Sequence, residues 1–199
     1  MTRRRNGKYW DVMMDRTRAK TPRFVEAVVT DAKVLAGARG ERYRFRGRFD
    51  ALCQALRLIW VSEAFLAQTC YRAQARLDAL GVRVLPRLMH RLAIMTAQVC
   101  VGRAVIMHPG VCIPHGQVVI DGFVEIHPGV GIRSSVTVGL RHGDPRGPTI
   151  ERNARIDAGA KVLGRITVGR DAKVGPNAVV IEDVPAGATV AGVPARVVA

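Results

Sequence analysis

The chain has 199 residues, of which 48% are hydrophobic and 5% aromatic, and a formal net charge of +15. This length supports one or two compact units with a real core. So few aromatic residues provide little stacking surface for single-stranded nucleic acid, and we expect no nucleic-acid partner. Residues 1–50 carry 14 Lys/Arg against 6 Asp/Glu. We interpret this basic half as a solvated face with a flexible arm over residues 1–20, and attraction to an anionic partner is the alternative.

The cysteines and the apolar stretches indicate the cellular setting. Four cysteines show no paired C-x-x-C spacing: Cys53, Cys70, Cys100 and Cys112. We recognise no signal peptide ahead of them, and such thiols are typical of a reduced cytoplasm. The most apolar helical stretch, residues 51–70, contains Arg57 and Glu63, which would be costly at the centre of a bilayer. We therefore expect a cytoplasmic protein without a membrane span.

Apolar residues at helical spacing predict a helical domain over residues 21–98. The first helix follows Pro22 and runs to about Ala38, because proline is favoured at a helix start. A longer helix is predicted over residues 49–80, with one wide apolar stripe. A third is predicted over residues 86–99.

Beyond residue 98, aliphatic residues recur every six positions. Ten of them share one register: Ile120, Ile126, Ile132, Val138, Ile150, Ile156, Val162, Val168, Val174 and Val180. A period of six fits neither an α-helix nor an alternating strand. It fits a parallel β-helix, in which three short strands make one coil of about 18 residues. An earlier series ending at Val119 joins this register through a one-residue slip, so the predicted class is α+β with a β-helix over residues 99–199.

The register is interrupted between Val138 and Ile150. Residues 139–149 are rich in Gly, Pro and Arg and predict a loop that leaves the coil. Loops held by a rigid scaffold often carry binding or catalysis, although a solvated connector is the alternative.

Five segments carry a resemblance to a known family. They are L-P-R-L-M-H-R-L at 85–92, I-P-H-G-Q-V-V-I at 113–120, S-V-T-V-G at 135–139, A-G-A-K-V-L-G at 158–164 and A-G-V-P-A-R-V-V at 191–198. The last two are common to hexapeptide-repeat acyltransferases, whereas the segment around His115 resembles their serine O-acetyltransferase branch. The resemblance implies a left-handed coil and a homotrimeric O-acetyltransferase that uses acetyl-CoA. It covers the chain from about residue 85 to the end.

By this resemblance His115 is the general base that takes a proton from the acceptor hydroxyl. An imidazole suits this step because it is mostly neutral yet basic at the pH of the cell. A structural histidine at a corner of the coil is the alternative. We interpret His108 and His127 as structural, since each precedes a Pro-Gly corner.

The resemblance also implies an acceptor site formed by Arg146, His142, Arg141 and Asp50. In serine acetyltransferases an Asp precedes the catalytic His and an Arg-His pair lies in the loop, whereas here these positions read Pro114 and Arg146-Gly147. A serine ammonium held away from water needs anionic partners. We therefore predict a small hydroxyl acceptor that need not be serine, such as a sugar, and keep a true serine acetyltransferase as the alternative.

For acetyl-CoA, the resemblance implies a groove of small residues along the coil and cations near the nucleotide phosphates. The small residues are Gly139, Ala158, Gly159, Ala160 and Gly164, and the cations are Lys173 and Arg196. Family members also extend into a tail that docks on a sulfhydrylase. Because this chain reads Ala199 at its end, we expect no such complex.

Two other classes share the coil. A γ-type carbonic anhydrase needs zinc histidines spaced H-x-x-x-x-H, and no two histidines here are five apart, so we expect no metal. A solenoid scaffold without catalysis stays open because two family positions are changed. Loss of acetyl transfer in a His115→Ala variant distinguishes the enzyme from the scaffold.

Overall fold

The computed structural model describes residues 2–41, 44–141 and 144–198. Within these ranges five helices come first: α1 (Thr2–Ala19), α2 (Phe24–Ala38), α3 (Arg48–Val61), α4 (Glu63–Ala79) and α5 (Leu85–Ala97). Fourteen strands follow: β1 (Val99–Val101), β2 (Ile106–Met107), β3 (Val118–Ile120), β4 (Phe123–Ile126), β5 (Gly131–Ile132), β6 (Thr137–Gly139), β7 (Arg146–Ile150), β8 (Arg155–Ile156), β9 (Lys161–Leu163), β10 (Thr167–Val168), β11 (Lys173–Val174), β12 (Val179–Val180), β13 (Thr189–Ala191) and β14 (Arg196–Val197).

The strands form the three sides of one coil. Sheet A has the order β1-β3-β6-β9-β12, sheet B the order β10-β7-β4-β2, and sheet C the order β14-β13-β11-β8-β5. Neighbours pair in parallel except for β13 and β14. The predicted α+β class, helices followed by a left-handed parallel β-helix, is confirmed.

Aliphatic side chains at the predicted six-residue spacing fill the coil. Ile120, Ile126 and Ile132 are all fully buried, and each stacks on its counterpart in the next coil. The sheet A register pairs Val101 with Ile120, Ile120 with Val138, and Val138 with Val162, so these coils are 19, 18 and 24 residues long. Val119 is 41% exposed, so the slip falls before it and Ile120 takes the inward position.

A break at Ser62 divides the predicted helix of residues 49–80 into α3 and α4. The Ser62 backbone is extended, and its Oγ accepts a hydrogen bond from the Phe65 backbone N–H at 3.3 Å. This side chain satisfies one of the unpaired N–H groups at the start of α4, which is the usual role of an N-cap serine. The prediction of a single helix over residues 49–80 was therefore wrong.

Helix α1 occupies the stretch for which a flexible arm was predicted. The ring of Trp10 lies 4.6 Å from that of Phe123 on β4. Lys20 Nζ and Arg16 Nη2 lie 2.6 Å and 3.1 Å from the Glu125 carboxylate oxygens. Burial by itself would raise the pKa of Glu125, but hydrogen bonds from Lys20 and His108 outweigh it and hold that pKa below its usual value.

A buried ion pair joins the helices to the coil. Arg72 Nε on α4 donates to Asp31 Oδ2 on α2 at 2.8 Å, and both side chains are almost fully buried. Arg72 also donates to the His108 carbonyl at 2.9 Å and to the Met107 carbonyl. Asp31 Oδ1 accepts from the Gly110 N–H at 2.7 Å. This network satisfies the buried charges and fixes the helical layer on sheet B.

None of the helices in the described ranges is long and apolar enough to cross a membrane.

Candidate active site

The chain turns between sheets along three edges of the coil. The A–B edge includes residues 121–122, 140–141 and 144–145, and the B–C edge includes residues 108–111 and 127–130. The C–A edge includes residues 114–117 and 133–136. Most of the sequence-predicted residues that the structure describes lie on or next to these edges, whereas Asp50, Lys173 and Arg196 lie elsewhere.

His115 is exposed at the C–A edge of the first coil. It lines an open groove between the coil and the helices, together with Glu63, Met95, Thr96, Ala97, Gln98, Gly116, Gln117 and Ser134. The groove has polar groups on the coil side and the end of α5 on the other. An exposed imidazole in such a groove can reach a bound hydroxyl group, whereas a histidine packed into a corner could not.

The end of α5 and the His115 corner are in tight contact. A Cβ atom on Gly116 would come within 2.1 Å of the Ala97 carbonyl oxygen, so only glycine allows this approach. That same carbonyl accepts a hydrogen bond from the Gln117 N–H at 2.9 Å. The first coil is one residue longer than the next one, and this corner lies within the longer coil. The contact fixes the backbone directly after His115.

Glu63 contributes a carboxylate to the groove, and sequence reasoning missed it. It lies in the first turn of α4, directly after the Ser62 cap. In the continuous helix predicted over residues 49–80, Glu63 lay in the middle and served only as an argument against a membrane span. The signal that could have found it is Ser62 followed by an acidic residue, a typical helix start.

The interrupting loop is shorter than predicted. Gly139 ends β6 and residues 146–149 belong to β7. Of the residues between these two strands, the structure describes 140–141 and 144–145, which lie on the A–B edge. Arg141 is exposed, and its backbone forms an isolated antiparallel β-bridge with that of Asp144. His142 lies outside the described residues.

Arg146 pairs with an acidic neighbour from the same loop. Its Nη2 and Nε atoms lie 2.7 Å and 2.8 Å from the two carboxylate oxygens of Asp144. The hydrogen bonds from Arg146 lower the pKa of Asp144 to about 2. The pair is partly exposed and orients the guanidinium at the start of β7.

Within one chain, His115 and Arg146 are not brought together. His115 lies on the C–A edge and Arg146 on the A–B edge, so sheet A separates them. Asp50 is in the first turn of α3, where its Oδ2 accepts the Arg46 N–H at 2.8 Å. It is not among the residues that line the His115 groove.

The residues predicted for the cofactor fall on two edges. Ala158 and Gly159 continue the C–A edge, where the Gly159 N–H donates to the Ser134 carbonyl at 3.0 Å. The Ala160 side chain is fully buried inside the coil. Gly139 and Gly164 are neighbours on the A–B edge, linked by a 2.9 Å hydrogen bond. The two predicted cations are elsewhere: Lys173 on sheet C, and Arg196 on β14 beside Glu182.

Known proteins resemble this chain along most of its length. The family model described as "Bacterial transferase hexapeptide (six repeats)" matches residues 147–182. The serine acetyltransferase of Escherichia coli (strain K12) is 34% identical over 176 residues, which are 87% of this chain and 64% of that protein. The serine acetyltransferase of Mycobacterium tuberculosis is 34% identical over 168 residues, which are 83% of this chain and 73% of that protein.

A solved structure gives the same result. Neisseria gonorrhoeae serine acetyltransferase in complex with serine matches with a TM-score of 0.72 and 25% identity, over 87% of this chain and 68% of that one. The likeness extends through helices and coil alike. The chain thus belongs to the serine acetyltransferase family of hexapeptide-repeat transferases.

Proposed function

We propose that this protein is an acetyl-CoA-dependent O-acetyltransferase and that L-serine is its acceptor. The observation that carries the proposal is the exposed His115 imidazole in a groove that also contains the Glu63 carboxylate. The similarity to serine acetyltransferases favours serine over the unspecified acceptor that the sequence suggested. A carboxylate at Glu63 can pair with the serine ammonium although Pro114 lacks one.

In the proposed reaction His115 acts as general base. It takes the proton from the serine hydroxyl while the hydroxyl oxygen forms a bond to the thioester carbon of acetyl-CoA. The carbon–sulfur bond then breaks, and the imidazolium returns the proton to the leaving sulfur. Acetyl-CoA supplies the activated acetyl group, and the chain supplies the base and the orientation.

The test is thiol release from acetyl-CoA in the presence of L-serine. We expect His115→Ala to reduce kcat by about 10²–10⁴-fold, the usual contribution of a general base. Glu63→Gln should raise KM for serine and leave KM for acetyl-CoA nearly unchanged. Glu26→Gln, an exposed change on α2, is the matched control. Thiol release that survives in His115→Ala would contradict the assignment of the base.

A different hydroxyl acceptor is the second candidate, because Pro114 and Gly147 replace an Asp and a His of the family pattern. A panel of sugars and nucleotide sugars in the same assay separates the two. Release with a sugar but not with serine would favour this second candidate. No release with any acceptor would favour a scaffold.

We also propose that the working site forms between copies in a homotrimer. The support is the separation of His115 and Arg146 on different edges of one coil, which a neighbouring copy can overcome by placing its A–B edge against the C–A edge. Arg146 would then bind the acceptor carboxylate, and the small residues of both edges would flank the pantetheine arm. Mixed oligomers of His115→Ala and Arg146→Ala chains should recover part of the activity that each variant lacks. A monomer in light scattering would contradict the shared site.

A further inference from the structure

A cluster of three metal-ligand side chains lies away from the groove. The nitrogen and oxygen donors of His108, Glu125 and His127 all lie within 4.8 Å of one another, and each residue is partly buried. The two histidines are on the B–C edge, whereas His115 is on the C–A edge. The proposed acetyl transfer therefore does not use this cluster.

The coil repeat itself creates the cluster. The motif His-Pro-Gly occurs at residues 108–110 and again at 127–129, one coil of 19 residues later. Because Met107 pairs with Ile126, the two histidines stack, with ring centroids 4.9 Å apart and planes 18° from parallel. Glu125 pairs with Ile106 in the same ladder, and its Oε1 lies 3.1 Å from His108 Nε2.

We propose that His108, Glu125 and His127 bind a divalent transition-metal ion of the Zn²⁺ class. Two imidazoles and a carboxylate are a ligand set that suits such ions. In a tetrahedral site two nitrogens bound at 2.0–2.1 Å lie about 3.4 Å apart, so small side-chain rotations would bring these donors into position. The sequence predicted no metal because no two histidines are five apart along the chain. In the coil, however, residues 19 apart become neighbours, so the spacing along the chain does not exclude this site.

A second acidic residue adjoins the cluster. Glu151 directly follows Ile150, which pairs with Ile126, so it stands in the same column as the two histidines. One of its carboxylate oxygens accepts the Arg170 N–H at 2.9 Å. The Glu151 carboxylate adds negative charge next to the cluster, and a water molecule can complete four-coordination.

Cations of helix α1 compete with the metal for Glu125. Lys20 Nζ is 2.6 Å from Oε1, and Arg16 Nη2 is 3.1 Å from Oε2. Both cations are substantially exposed, whereas the Glu125 side chain is 14% exposed. A metal ion would thus displace Lys20 from Oε1, and removal of Lys20 should strengthen metal binding. If Glu125 served only to hold Lys20 and Arg16 in place, removing Lys20 would not increase the affinity of the protein for any metal ion.

Equilibrium dialysis against Zn²⁺ tests the proposal on the full chain. A Cys53→Ser background removes an exposed thiol that could bind zinc. We expect about one ion per chain and at least about tenfold weaker binding in His127→Ala and in Glu125→Gln. Lys20→Met should bind more tightly than the background protein, and His115→Ala, a histidine change outside the cluster, should bind equally well.

A Co²⁺ absorption spectrum provides a second measurement. Bands typical of a tetrahedral site should appear in the background protein and disappear in His127→Ala, with circular dichroism confirming that both are folded. Two results would overturn the proposal. One is zinc binding that is equal in the background protein and in His127→Ala, and the other is binding lost in His115→Ala.

Discussion

The coil and the helical layer that covers it differ in the kinds of side chain that they bury. In the coil, branched aliphatic residues such as Ile126, Ile132 and Ile156 repeat in register and are fully buried. In the helical layer much of the interior consists of alanines, while Trp60 and Phe49 are 90% and 80% exposed. A repeated ladder distributes stability over many equivalent contacts. The helical layer depends instead on a few particular ones, above all the Arg72–Asp31 pair.

The largest effect is expected from Arg72→Met, which would leave the Asp31 carboxylate buried without its partner. Removing one member of a buried pair costs about 3–5 kcal/mol, and here it also frees two carbonyls of the coil. Urea unfolding measures the loss. Arg76→Met, on the same helix but partly exposed, should cost far less. Equal losses in the two variants would mean that the helical layer does not depend on this pair.

Truncating a side chain inside the coil should lower the free energy of unfolding somewhat less. Ile156→Ala removes methyl groups from a fully buried position on β8, for which about 2–5 kcal/mol is usual. Ile156→Val should cost only about 1 kcal/mol. If the alanine variant lost no more than the valine variant, the ladder would be loosely packed and the contrast with the helical layer would fail.

A smaller effect is expected at the break between α3 and α4. Ser62→Ala removes the acceptor for the Phe65 N–H and should lower the free energy of unfolding by about 1 kcal/mol. Ser62→Asn keeps a capping oxygen and should retain most of the stability. A stabilising Ser62→Ala change would indicate that one continuous helix is the better state.

The smallest effect is expected at Asp144, in the loop on the A–B edge of the coil. Hydrogen bonds from Arg146 hold its pKa at about 2, below the value of an unfolded chain. The pair therefore stabilises the loop above about pH 4, and this contribution is lost as the pH falls through 2. The Asp144→Asn variant should be slightly less stable than the wild type at neutral pH, because the pair is partly exposed. This difference in the free energy of unfolding should disappear as the pH falls from about 4 to 2. An NMR titration that places the Asp144 midpoint near pH 4 would contradict the pairing.

The two regions also differ in how far they could be predicted from the sequence. The coil was predictable because its period of six matches no other regular structure, and because each inward residue such as Ile132 or Val138 contributes to the same signal. The position of His115 in an exposed groove agrees with the role that the resemblance suggested. The role itself stays a proposal.

The helical region hid two features for a common physical reason. The break at Ser62 lies inside one apolar run, and within that run the Glu63 carboxylate served only as an argument against a membrane span. Helix α1 was expected to be a flexible arm, since its residues are mostly polar and basic. Its order depends on contacts between residues far apart in the chain, such as Trp10 with Phe123 and Lys20 with Glu125. Local patterns carry no record of such contacts.

The coils of 19 and 24 residues have a consequence for how this chain can change over evolution. Both extra lengths lie at edges of the coil, and the buried ladder resumes in phase after each one. Residues can therefore be gained or lost at the edges without altering a single interior contact. A lineage can therefore vary the surface that the edge loops present while its interior stays the same, since natural selection on the interior constrains only where the chain re-enters the stack.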